Sequence, residues 1–75
     1  MKNLLIQIVQ KVVDSPEEVQ VAEIEGTQTV VLELKVAKSD IGKVIGKQGR
    51  TANAIRHLIY AASAKSQKRY ILEII

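Results

Sequence analysis

Apolar residues change their spacing three times along this chain, and those changes fix most of what it can fold into. Leu4, Leu5, Ile8, Val9, Val12 and Val13 fall at i, i+1, i+4, i+5, i+8 and i+9, which is one side of a helix. Further on, Val30, Leu32, Leu34 and Val36 alternate with Val31, Glu33 and Lys35, the two-residue period of a strand with one buried face. Helical spacing then returns with Ile55, Leu58, Ile59 and Ala62. Alternation closes the chain, with Tyr70, Leu72 and Ile74 set against Ile71, Glu73 and Ile75. A chain patterned this way must bury helices against a sheet.

Punctuating residues supply the boundaries. The first helix is expected from Asn3, a capping residue, to Asp14, because Pro16 drives Ser15 out of helical geometry. "VQVAEIE", Val19 to Glu25, is rich in strand formers, and Gly26 and Thr27 turn it into the second strand as an antiparallel hairpin. The buried face of that first strand stays open, with Val19 and Val21 set against Ala22 and Ile24. Ser39 is a candidate N-cap and Asp40 suits the positive end of a helix dipole, so a short helix is predicted to about Ile45. Gly46 can supply a left-handed end. A longer helix from Arg50 to Ala64 would expose Arg50, Asn53, His57 and Lys65, and "KRYILEII" makes the last strand.

The order is α-β-β-α-α-β, and a two-helix crossover between the second and third strands usually joins parallel neighbours. The expected architecture is α+β, a three-stranded mixed sheet with three helices packed on one face. Its other face would show Ile71 and Ile75 with Val31, Glu33 and Lys35, more apolar than a solvated surface requires, which points to a partner surface.

The chain's 75 residues leave room for one domain, residues 1–75. There is no cysteine and a single histidine, His57, so neither disulfides nor a zinc site can staple it, and no cofactor is expected. The 47% hydrophobic content must hold the fold by packing, alone or helped by self-association. Glu17 and Glu18, beside Pro16, read as a solvated turn instead of an acid–base pair. The apolar start "MKNLLIQIVQKVV" is interrupted by Gln7, Gln10 and Lys11, and no small-residue cleavage site follows. No apolar run approaches the roughly 20 residues a bilayer crossing needs. No membrane partner is therefore expected, and a cytoplasmic location is.

Charge divides the chain. Residues 1 to 34 hold Lys2 and Lys11 against six carboxylates, whereas residues 35 to 75 hold nine cations against Asp40 and Glu73. A polyanion would meet the second half.

That half contains "IGKVIGKQGRTAN". The stretch is not a nucleotide-triphosphate loop, because Gly42 and Gly46 enclose three residues where that motif needs four, and Lys47 is followed by Gln48 instead of a metal-binding hydroxyl. A dinucleotide motif fails as well, with Val44 where a glycine is required. What fits is G-x-x-G between two helices, Gly46-Lys47-Gln48-Gly49. Gly46 permits the reversal, and Gly49 lets a phosphodiester backbone approach the start of the second helix. Lys47 and Arg50 would contact phosphates, with Lys43 and Arg56 as further candidates, while Ile41, Val44, Ile45 and Ile55 would wall an apolar groove for bases. Competing readings are a plain helix-to-helix turn for the glycines, and a solvated face for the cations. Gly42, costly within a helix, implies close approach of either another helix or a ligand.

"VIGKQGRTANAIR", followed by the helical pattern, resembles the signature of a KH domain, the helix–GxxG–helix module that clamps about four nucleotides of a single strand. The element order is similar to the bacterial type II arrangement. The resemblance covers the whole chain and, at this size, is to the KhpA family of small KH proteins. It implies single-stranded RNA as ligand, a role in post-transcriptional regulation or as an RNA chaperone, self-association as a homodimer, and pairing with a larger KH-containing protein. A dimerisation module that binds RNA only incidentally is the alternative. Either way the resemblance implies binding and not catalysis. Tyr60 and Tyr70 are the sole aromatics, too few for a stacking platform of the RRM or OB type, so one copy is expected to bind modestly.

Overall fold

A computed structural model describes all 75 residues. Helix α1 spans Lys2–Gln10, strand β1 Gln20–Glu25, strand β2 Thr29–Lys35, helix α2 Ile41–Ile45, helix α3 Arg50–Ala62 and strand β3 Arg69–Ile74. Short 3₁₀ turns cover Pro16–Glu18, Lys38–Asp40 and Lys47–Gly49. The α-β-β-α-α-β order stands, and the sheet runs β1-β2-β3 with β1 antiparallel and β3 parallel to β2.

The elements end where backbone chemistry stops them. Helix α1 is shorter than expected: its last regular residue is Gln10, and Lys11 to Val13 close in looser bonds to Ile8 and Val9. Asn3 lies inside the helix, and Met1 holds the cap position without a side-chain bond. Ser15 is out of the helical region (φ −118°, ψ 73°), as the following proline favours, and Pro16 opens the next turn. Helix α3 stops at Ala62, with Ser63 at its cap, two residues earlier than the pattern suggested.

Register settles the open question about β1. Val21 pairs with Leu34, so Val21 shares the buried face with Val30, Leu32 and Leu34, while Ala22 and Ile24 share the open face with Glu33 and Val31. Val19 is buried just before the strand. The core joins these residues to Leu5, Val9 and Val13 from the N-terminal segment, Val44 from α2, Ile55 and Ile59 from α3, and Leu72 from β3. Each such side chain contributes about 1.5–3 kcal/mol when fully buried.

Two helix patterns need correcting. Leu58, expected on the buried stripe of α3, is 51% exposed, and Ala62 is exposed too; Ala52, Ile55 and Ile59 face inward instead. The helix is rotated so that Ala52 meets the core, which moves Leu58 off the stripe. Leu4 is likewise exposed, Ile8 and Val12 are half-buried, and the core side of α1 narrows to Leu5 and Val9.

The one buried charged residue, Asp40, explains how α2 is fixed. Its carboxylate accepts the Asp14 amide at 3.2 Å and the Ser15 amide at 3.0 Å, tying the loop after α1 to the start of α2. Buried carboxylate oxygens are costly without donors, and here none is left unsatisfied. Asp40 thus works backwards onto the N-terminal segment instead of capping its own helix, and Ser39 makes no cap either.

Candidate nucleic-acid interface

The loop between α2 and α3 is a run of unusual backbone. Gly46 sits at φ 77°, ψ 175°, Gln48 at φ 57°, ψ 28° and Gly49 at φ 77°, ψ 10°. Gln48 and Gly49 are truly left-handed; Gly46 is in a region open almost only to glycine. A Cβ on Gly46 would stand 2.2 Å from Thr51 Oγ1, so this glycine is also required by the close packing of the loop on α3. Around Gly49 there is open space, and a Cβ would touch nothing within 4 Å. Gly42 likewise has nothing within 4 Å of its missing Cβ, so no helix packs against it.

Helix α3 begins at Arg50 with no side-chain cap and no acidic residue in its first turn. The Arg50 and Gly49 amides turn back onto the Lys47 and Gly46 carbonyls, but no side chain answers the positive dipole end of the helix, a setting that favours an anion. Lys47 and Arg50 are exposed beside it, and neither takes part in an ion pair.

Lys43 is differently placed. It forms an ion pair with Asp14, whose hydrogen bond holds the ammonium above its ordinary value of 10.5. It therefore braces α2 against the N-terminal segment instead of standing free beside the loop.

Next to the loop lies an open groove of about 350 Å³. It is lined by Ile41 and Ile45 of α2, Gly49 of the loop, Ala52, Asn53 and Arg56 of α3, and Ile74 and Ile75 at the end of the chain. Ile41 and Ile45 line the groove as the sequence suggested, and Arg56, expected as a phosphate contact, lines it too. Val44 and Ile55 do not: they are 0% and 2% exposed, core residues that face inward from α2 and α3. Arg56 is half-buried and donates to Asn53 Oδ1 at 3.3 Å, which steadies it in the groove lining. Ile75, assigned from the sequence to the open sheet face, lines the groove instead, its amide bonded to the Leu34 carbonyl at 2.9 Å.

Sequence reasoning missed Ala52, Asn53, Ile74 and Ile75 as groove residues. A signal for the first two existed, since Gly49, Ala52, Asn53 and Arg56 fall at i, i+3, i+4 and i+7, one face of α3. Nothing local marks Ile74 and Ile75, which reach the groove only because β3 pairs beside β2.

A helix–GxxG–helix loop over such a groove, on an α-β-β-α-α-β mixed sheet, is matched by the family model described as KhpA/KhpB, KH domain, over residues 2–74. The chain belongs to this family. Among relatives of the KhpA/KhpB type, the RNA-binding protein KhpA of Clostridium acetobutylicum is 59% identical over 75 residues, the whole of both chains. The protein of the same name from Caldanaerobacter subterraneus is 55% identical, again over the full length of both. That of Bacillus subtilis is 47% identical over 74 residues, 99% of this chain and 91% of its own. No solved structure matches the chain.

Proposed function

We propose that this KH domain is an RNA-binding protein that holds single-stranded RNA by its phosphates on the Gly46–Gly49 loop and by its bases in the adjoining groove. The observation that carries the reading is the uncapped start of α3, placed behind two left-handed residues and flanked by the unpaired Lys47 and Arg50. Relatives named as RNA-binding proteins over their full length support it. The domain works by binding: the loop fixes the backbone of the strand, and Ile41, Ile45 and Asn53 meet the bases.

In this reading the protein acts in the bacterial cytoplasm on transcripts after their synthesis, as a regulator or RNA chaperone. It also self-associates, with a larger KH-containing protein as a further partner. The open sheet face supports the self-association, because Ile24, Val31 and Ile71 stand in register across all three strands there. Mass in solution, for wild type and Ile24→Asp, checks this, and a wild-type monomer at every concentration would retire it.

Binding to a pool of single-stranded RNAs at several salt concentrations tests the main reading, comparing wild type with Lys47→Asp, Gln48→Asp. The variant is expected to lose most affinity, and its salt slope to flatten by roughly 0.7 units for each phosphate it no longer neutralises. A folded variant that binds as wild type does would sink the assignment of the loop.

A further inference from the structure

Beyond the groove, α3 and β3 enclose a second hollow of about 140 Å³, and Arg56 lines both. The two elements run in opposite directions here. The start of α3 and the end of β3 form the groove, while Tyr60 near the end of α3, with Arg69 and Tyr70 at the start of β3, forms the second hollow. The two hollows therefore follow one another along β3, an outer strand of the sheet, with Arg56 shared between them.

The lining of that hollow is not what composition would suggest. The chain has two tyrosines and no other aromatic residue, and both line it. Two of the chain's arginines, Arg56 and Arg69, stand with them, and no carboxylate does. Tyr60 is 49% exposed, more than packing would leave a ring that served only the core, and neither tyrosine hydroxyl bonds to another side chain. Arg69 is exposed and outside both ion pairs. Aromatic rings flanked by guanidinium groups along a cationic path suit the stacked bases and bridging phosphates of a single strand.

We propose that this hollow is a second nucleotide subsite, in which Tyr60 stacks a base of the RNA strand that continues out of the groove while Arg56 and Arg69 hold the phosphates on either side. The inference rests on the RNA-binding reading above and lengthens its footprint beyond the roughly four nucleotides a GxxG loop and groove accommodate. It also revises the expectation drawn from counting aromatics. Two are few for a platform spread over a sheet, but they suffice when the fold brings both to one place.

The test uses mixed-sequence single-stranded tetraribonucleotides and octaribonucleotides, measured by anisotropy against wild type, Tyr60→Ala, Tyr60→Phe and Arg69→Ser. Wild type is expected to bind the octamer more tightly than the tetramer. Tyr60→Ala and Arg69→Ser should weaken the octamer about tenfold and leave the tetramer unchanged, with Tyr60→Phe close to wild type. Because the chain lacks tryptophan, its tyrosine emission is a second readout, and it should be quenched by the octamer and not by the tetramer. Octamer affinity unchanged in Tyr60→Ala, or a loss equal for both lengths, overturns the subsite while leaving the loop's role intact. Failure of wild type to bind either length overturns the RNA-binding reading itself.

Discussion

Helices α2 and α3 present the same loop from its two ends but are held in place by different means. Helix α3 has 13 residues and three inward side chains, Ala52, Ile55 and Ile59. Helix α2 has five residues and one, Val44. Isolated helices below about 12–15 residues are marginal in water, so α2 depends on its surroundings to a degree that α3 does not. Those surroundings are the Asp40 carboxylate on the Asp14 and Ser15 amides and the Asp14–Lys43 ion pair. One wall of the groove is thus part of the core, and the other is tied to a segment 26 residues earlier in the chain. Fold stability and site geometry are therefore separable here, because they rest on different contacts.

Variants of the two helices should separate them. The largest effect is expected from Ile59→Ala, which empties a fully buried position of α3 and should cost about 2–5 kcal/mol in urea unfolding. RNA affinity per folded molecule should hardly change. Asp40→Ala should cost less, about 1–3 kcal/mol, since two part-buried amides lose a charged acceptor. It should nevertheless weaken RNA binding by more than the unfolded fraction explains. If the folded population of Asp40→Ala binds as wild type, the dependence of the loop on this clamp is wrong.

The glycines offer a finer contrast within the loop. Gly46→Ala meets both a forbidden backbone region and Thr51, and should destabilise by about 1–3 kcal/mol while disrupting RNA binding. Gly49→Ala meets only the left-handed penalty of about 1–2 kcal/mol. Gly42→Ala, in open space on a helix, should stabilise by about 0.5–1 kcal/mol. A Gly42→Ala protein that is more stable yet binds RNA less well would show that the ligand is what approaches this position, since no helix does.

The smallest effects are those of pH on the two exposed ion pairs. The Lys68 hydrogen bond, and then its charge, holds the Glu25 carboxyl below its ordinary value of 4.5. That contribution is whole above 4.5 and disappears as pH falls through the lower folded value. Lys43 behaves in the opposite sense. The hydrogen bond to Asp14 raises its pKa, so its contribution is whole below 10.5 and is lost as pH rises through the higher folded value. Melting curves of wild type and Lys68→Met should differ slightly at neutral pH and converge in acid; a difference that persists below the folded pKa of Glu25 would mean that Lys68 acts through packing instead.

Much of the fold was legible because its signals are local. Pro16, the alternation around Leu32 and the helical spacing from Ile55 onward each constrain the backbone of their own segment. The loop was legible for the same reason, since a backbone with φ above zero at positions 46 and 49 selects glycine whatever surrounds it. Val44 was not, because five residues make less than two turns, too few to define which side of α2 is apolar by need and which by exposure. Leu58 misled because two apolar stripes overlap on α3, and only the packing of Ala52 chooses between them.

Element order, the glycine loop and the cationic half that carries it are thus written in the amino-acid string, since all three are properties of neighbours along the chain. Only tertiary packing settles that Val44 and Ile55 go inward, that Lys43 is committed to Asp14, that Ile74 and Ile75 line the groove, and that Tyr60 and Tyr70 line one hollow. These outcomes depend on how α3 lies across β3, a strand positioned by its pairing with β2, and a spacing rule confined to one segment contains no term for that.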